Sequence, residues 1–239
     1  MRPPLTSIVI LAAALLSAAC ATTTSNPQTV QEPAQPASID GALTAPPAAL
    51  PMDDGASRDP ADAPAGAYTL DPRHASVVWR VRHTGLGIYV GRFDTVTGTL
   101  DFNPTAPDQS SAQIVIDANS VSTGLLNNNG ERAFDGEIAN VLGADDAPEI
   151  RFTTTNAELT GANTGLLAGD LTLNGQTRAA TFEVTFQGGK YVTLRGKHVL
   201  AFSARTIINR RDWNVGSLIF NQFAGDEVEI LFEGEFTHD

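Results

Sequence analysis

Residues 77–102 read VVWRVRHTGLGIYVGRFDTVTGTLDF. Val77, Trp79, Val81 and His83 alternate with Val78, Arg80, Arg82 and Thr84, the period of two that marks a strand with one apolar and one solvated face. After the glycine-spaced corner Gly85-Leu86-Gly87 a second run begins at Tyr89. It ends with Val96, Gly98, Leu100 and Phe102 on one parity and Thr95, Thr97, Thr99 and Asp101 on the other. The spacing predicts a hairpin. A wet outer face excludes a parallel sheet buried on both sides and leaves an antiparallel sandwich or closed barrel.

Downstream segments repeat the pattern. Ile114 and Ile116 share a parity within 112–117, and Ile150 and Phe152 lead 149–159. An apolar run at 166–173 meets Asn174-Gly175, the strongest hairpin signal in the chain because Asn-Gly tolerates positive φ at both central positions. Phe182, Val184 and Phe186 then alternate with Thr181, Glu183 and Thr185, a bend falls near Gly196, and Val199–Ile208 continues. Glu227–Phe236 closes with Val228, Ile230, Phe232 and Phe236 on one face. About eight strands are expected, enough for an all-β, antiparallel, lipocalin-like barrel whose interior holds side chains or one small ligand. In residues 131–143, ERAFDGEIANVLG, Phe134, Ile138, Val141 and Leu142 fall at helical spacing before Gly143, which predicts a short helix across one mouth.

Every Phe, Tyr and Trp lies at or beyond Tyr68, so one globular domain spanning 66–239 is expected. Residues 20–65 hold eight prolines beyond Cys20 and no aromatic residue, a composition read as an extended tether of about 40 Å r.m.s. reach. Residues 1–19 read as a signal peptide: Arg2, an apolar Ile8–Leu16 too short to span a bilayer, then Ser17-Ala18-Ala19 before Cys20, the only cysteine. That pattern resembles a bacterial lipoprotein signal with Cys20 as the acylated residue, although Ser17 stands where such signals commonly carry Leu. Ordinary secretory cleavage is the alternative. With Ala21 following, lipidation implies an anchor on the periplasmic side of the cell envelope, in the outer membrane; without it the chain is periplasmic.

A net charge of −12, from 27 acids and 15 bases, argues against nucleic acid as partner, since such binding rests on Lys and Arg. His74, His83, His198 and His238 show no metal-ligand spacing, and there is neither a Gly-x-Ser-x-Gly elbow nor a phosphate loop. Nothing in the residues asks for an enzyme, a metal or a cofactor.

Four stretches together resemble the YceI-like family: VRHTGLGIYVGRF (81–93), IDANSVSTG (116–124), GDLTLNGQTR (169–178) and FSARTIINRRDWNVG (202–216), with GDEVEILFEGEF from Gly225 fitting as well. The resemblance covers nearly all of 67–237. It implies a lipocalin-shaped barrel that binds a polyisoprenoid, such as an isoprenoid quinone or related long amphiphile, and leaves a homodimer open. The family's Arg-Asp-x-His-Leu with its aromatic pair is missing, for 131–147 offers Asp135 and Ile138 but no histidine.

Trp79, Val81, Phe102, Ile114, Phe152, Phe182, Val184 and Ile230 are expected to line the cavity. His83 is either a satisfied core histidine or a hydrogen-bonding group for a ligand headgroup at the mouth. Arg210 and Arg211, beside Asp212-Trp213, either fasten a turn through an Arg–Asp pair or offer a guanidinium fork to a phosphate or quinone oxygen, and Arg92 divides the same way. The competing picture is a structural or interaction lipoprotein whose barrel is filled by its own side chains. An enzyme acting on a lipid held inside is a third.

Overall fold

A computed structural model describes residues 55–238. In chain order it contains β1 (Gly66–His83), β2 (Gly87–Phe93), β3 (Val96–Phe102), β4 (Ser111–Asp117), β5 (Val121–Ser122), α1 (Ala133–Val141), β6 (Glu149–Leu159), β7 (Thr164–Leu173), β8 (Gln176–Val192), β9 (Lys197–Asn209), the single turn α2 (Phe220–Phe223) and β10 (Ala224–His238). β1, β3, β4, β6, β7, β8, β9 and β10 pair in that order, and β10 returns to β1, so eight antiparallel strands close a barrel. Closure leaves the ring without an edge strand. The expected all-β, eight-stranded, lipocalin-like barrel with a short helix is the fold observed.

The hairpin read from residues 77–102 is present, with Val77 opposite Phe93 and His83 opposite Gly87. Its turn places Thr84 at φ 51° and Gly85 at φ 71°. β2 and β3 act as one strand broken at Asp94-Thr95: β2 pairs with the distal half of β1, β3 with its first residues. Beyond the break β2 finds only the two-residue β5 on its other side. α1 follows β5 at this end of the barrel. At the second predicted hairpin Leu173 pairs with Gln176, with Asn174 at φ 50° and Gly175 at φ 66°. Gly143 ends α1 at φ 73°, donating to Asn140 O at 3.0 Å.

β1 changes faces along its length. Tyr68 and Leu70 are buried in its first half, whereas Val77 and Val81 are buried in its second. The switch sits at residues 71–74, where four β1 residues oppose the single Glu235 between Leu70↔Phe236 and Ala75↔Gly234. A bulge re-aims the strand because side chains repeat every two residues. Residues 55–65, expected as part of the tether, pack against the barrel. Ser57 exchanges backbone hydrogen bonds with Gly189 at 2.9 and 2.8 Å, and the Tyr68 hydroxyl donates to Pro64 O at 2.7 Å. The tether expectation for residues up to 54, the signal peptide and Cys20 lie outside the described residues.

The inner wall is shaped by glycines facing large side chains on neighbouring strands. Trp79 pairs with Gly91, and any Cβ on Gly91 would fall inside the indole. A Cβ on Gly98 would stand 2.6 Å from Ile114 Cδ1, and one on Gly169 2.5 Å from Phe152 Cζ. These side chains lie along the wall instead of projecting into the lumen. At the end where β1 begins, Phe186 and Phe202 (5.3 Å between centroids), Phe102 and Phe236 pack together on the inner wall.

Between β9 and β10 a four-residue 3-10 turn, Arg210–Trp213, leads into α2. Arg210 is 5% exposed and its guanidinium holds this cap together. Nε donates to Gly225 O (2.8 Å), one terminal nitrogen to Val215 O (2.8 Å) and Asn221 Oδ1 (2.8 Å), and the other to Ala224 O (3.0 Å) and Asp226 Oδ1 (3.2 Å). Five donors meet five acceptors. Burial lowers its pKa from the usual arginine value, and Asp226 opposes that shift.

Two substitutions test this arrangement by urea unfolding. Gly91→Ala should cost about 1–3 kcal/mol as the indole is displaced, and unchanged stability would show that Gly91 does not set the ring's position. Arg210→Lys keeps the charge but loses the planar fork, and should cost roughly 2–4 kcal/mol, the scale of one or two hydrogen bonds to a charged group.

Candidate ligand cavity

The barrel encloses a cavity of about 780 Å³, in the upper part of the roughly 300–1,000 Å³ range of small-molecule sites. Its walls come from the inward parities of the ring strands, and α1 and the 215–224 segment complete it at one end. Phe134, Ile138, Val141 and Leu142, the residues at helical spacing in the sequence, all face it from α1 or its C-cap. Among its lining residues only Asp59, His83, Tyr89, Glu137, Glu158 and Arg210 carry ionisable groups. They lie toward the two ends, so the middle of the cavity offers a ligand hydrocarbon and aromatic surface alone.

Trp79, Val81, His83, Phe102, Ile114, Phe152, Phe182, Val184, Arg210 and Ile230 all line this cavity. The strand parities were enough to place the hydrophobes, since successive residues point to opposite faces. Phe152 and Phe182 meet edge-on with centroids 4.9 Å apart. Trp79 Nε1 is buried with no hydrogen-bond partner among the described residues, a burden of about 1–3 kcal/mol for a donor left unmade.

The polar expectations divide. Arg92 is corrected: it stands on the outward parity of β2, away from the cavity, with Nε 2.9 Å from Asp94 Oδ1 and both side chains about half exposed. A β-strand that turns Tyr89, Gly91 and Phe93 inward must turn Arg92 outward. Arg210 reaches the cavity wall but has no donor left for a ligand, so the turn-fastening alternative describes it. Its acid is Asp226, which also takes Arg211 Nε at 2.6 Å, and Asp212 is not the partner. His83 is not a core histidine. It is exposed at the end of β1, with its ring stacked on Phe223 at 6.4 Å and tilted against Tyr89 at 6.3 Å.

A collar of rings at this end was not read from the sequence. Tyr89 meets Phe134 at 6.0 Å, and Phe134 stacks on Phe220 at 6.1 Å. Together with His83 and Phe223 these rings join the β1–β2 hairpin, α1 and α2 around the mouth. Phe220 and Phe223 belong to a single turn too short to show a helical repeat, so their inward placement left no periodic trace in the sequence.

Comparison with known proteins places this geometry. The YceI-like domain family model matches residues 68–236. A UPF0312 protein of Pseudomonas putida (strain W619) is 32% identical over 153 residues, covering 63% of this chain and 77% of its own length. Protein YceI of Salmonella arizonae is 30% identical over 173 residues, 72% of this chain and 86% of its own. Among solved structures, Burkholderia cenocepacia BcnA shares the fold with a TM-score of 0.61 at 22% identity, over 70% of this chain and 98% of that one. A polyisoprenoid binding domain from Saccharophagus degradans, implicated in plant cell wall breakdown, does so with a TM-score of 0.55 at 17% identity, over 72% and 98%. With the family model covering well over half its length, the chain belongs to the YceI-like family.

Proposed function

We propose that this chain binds a polyisoprenoid, an isoprenoid quinone or a related long-chain amphiphile, inside the barrel and sequesters or carries it in the bacterial cell envelope. The observation that carries this reading is the apolar cavity of about 780 Å³ with its ionisable groups confined to the ends. Such a lumen suits a long hydrocarbon better than a sugar, nucleotide or peptide, whose polar groups would go unpaired there. The polyisoprenoid binding domain of Saccharophagus degradans, built on the same fold, supports it. Acylation of Cys20 would hold the protein on the periplasmic side of the outer membrane, beside the lipid it serves.

Energetics favour exchange with a membrane over extraction from water. Burying a methylene is worth about 0.8 kcal/mol relative to water, so an eight-unit prenyl chain would sum to roughly 30 kcal/mol, beyond the ceiling of about 18–21 kcal/mol seen for non-covalent complexes. A lipid that starts in a bilayer has already left water. The barrel need only match hydrocarbon, and selectivity falls to the few polar groups near the mouth.

Gentle purification followed by mass spectrometry of the extracted lipid should return an isoprenoid in near-stoichiometric amount; a barrel recovered empty from its native membrane would overturn the reading. Val184→Trp separates a working cavity from surplus space. In a cavity that holds ligand the indole should expel it while the unfolding midpoint stays close to wild type, whereas in tight packing the same change should cost about 1–3 kcal/mol.

A further inference from the structure

Large apolar side chains are exposed chiefly at one end of the barrel. Leu86 is 83% exposed at the β1–β2 turn, Leu125 and Leu126 are 52% and 55% exposed between β5 and α1, and Leu218, Ile219 and Phe223 are 87%, 67% and 47% exposed in and before α2. The segments that carry them, HTGLGIYVG (83–91), VSTGLLNNNG (121–130) and NVGSLIFNQFAG (214–225), contain no Asp, Glu, Lys or Arg, although 18% of the chain is charged.

The three segments form one face. Thr84 N donates to Phe223 O at 2.6 Å. Thr123 N and Oγ1 both donate to Asp135 Oδ1, at 2.8 and 2.6 Å, which fastens the second segment to the first turn of α1. Phe134 on that turn touches both Tyr89 and Phe220. Ile219 and Phe223, 67% and 47% exposed, line the cavity within this face, and Leu159, 53% exposed, lines it at the opposite end. At the opposite end the lining includes Asp59 and Glu158, with Asp62 and Asp108 nearby in the same turns and loops.

We propose that this rim, whose three loops are apolar and carry no charge of their own between the flanking Arg82, Glu131, Arg132 and Glu137, is a docking surface for a zwitterionic phospholipid bilayer, inserting its leucine, isoleucine and phenylalanine tips among the headgroups so that the mouth opens onto the acyl chains. Apolar tips on separate loops suit a fluid interface, which accepts scattered hydrophobes without shape complementarity. Charge steers the choice of lipid: a chain of net charge −12 is repelled by an anionic surface, and loops empty of acids carry no penalty into a neutral one. The direction of cargo transfer rests on the isoprenoid reading. Docking itself does not.

The test is flotation with phosphatidylcholine vesicles, using the chain from Ala21 onward, which lacks the proposed anchor and keeps the whole self-closed barrel. The protein should float, and Leu86→Glu with Leu218→Glu should reduce partitioning by about tenfold or more. Leu194→Glu, at a fully exposed leucine (101%) on the far turn after β8, should leave it unchanged. An unaltered unfolding midpoint shows that the variants fold. Failure to float, equal loss with Leu194→Glu, binding restricted to anionic vesicles and abolished by salt, or a rim that drives self-association while leaving vesicle binding unchanged would each overturn the proposal. Rim-dependent flotation of a protein that carries no isoprenoid would leave docking standing and remove the cargo.

Discussion

The hollow interior depends on where its rings can lie. Eight strands close around a space that Phe and Trp side chains pointing straight inward would crowd. Gly91, opposite Trp79, and Gly169, diagonally across from Phe152, let those rings fold down over a neighbouring strand. Glycine weakens a strand, since it forfeits cross-strand packing and more chain entropy. Here the loss is offset by aromatic area buried on the wall without volume lost from the lumen. Phe102, Phe186, Phe202 and Phe236 instead meet one another, and as a packed cluster they form the cavity wall toward the end where β1 begins. Of the two pictures weighed from the sequence, a hollow barrel and a packed one, the described residues form the hollow one, with aromatic rings packed against each other in its wall.

Most of the fold was legible because a half-buried antiparallel strand writes its burial into alternate residues. Val77 to His83, Phe182 to Phe186 and Val228 to Phe236 could be assigned to a face by parity alone, and Asn174-Gly175 fixed a register. What parity cannot show is its own interruption. Tyr68 and Leu70 face inward on even numbers and Val77 and Val81 on odd ones, because residues 71–74 bulge against Glu235. Nothing local to Asp71-Pro72-Arg73-His74 announces how many residues oppose one.

The site was legible to the same extent and failed for a related reason. Hydrophobic liners follow from strand faces, so Trp79, Ile114, Val184 and Ile230 could be named. Polar groups are placed by partners far away in sequence. Arg210 looked available because four of its five acceptors are uncharged, three of them backbone carbonyls, and a carbonyl leaves no signature in a sequence. Arg92 looked available for want of a parity argument, although Phe93 beside it already required the opposite face.

The arginine and the rim are linked. Residues 214–225 bring leucine, isoleucine and phenylalanine to the surface with no charged side chain of their own, so something else must hold them in place. Arg210 does so from beneath, accepting burial and a lowered pKa in return for five backbone and side-chain partners. The cap is therefore rigid where it meets the barrel and apolar where it meets solvent. The chain enters the barrel at Gly66 beside His238, at the end away from the rim. The residues between Cys20 and Gly55 could span at most roughly 120 Å fully extended, so an anchor at Cys20 would restrict distance without choosing which end faces the lipid. Orientation at a bilayer would then have to come from the barrel's own surface, and the end whose loops are apolar is the one suited to supply it.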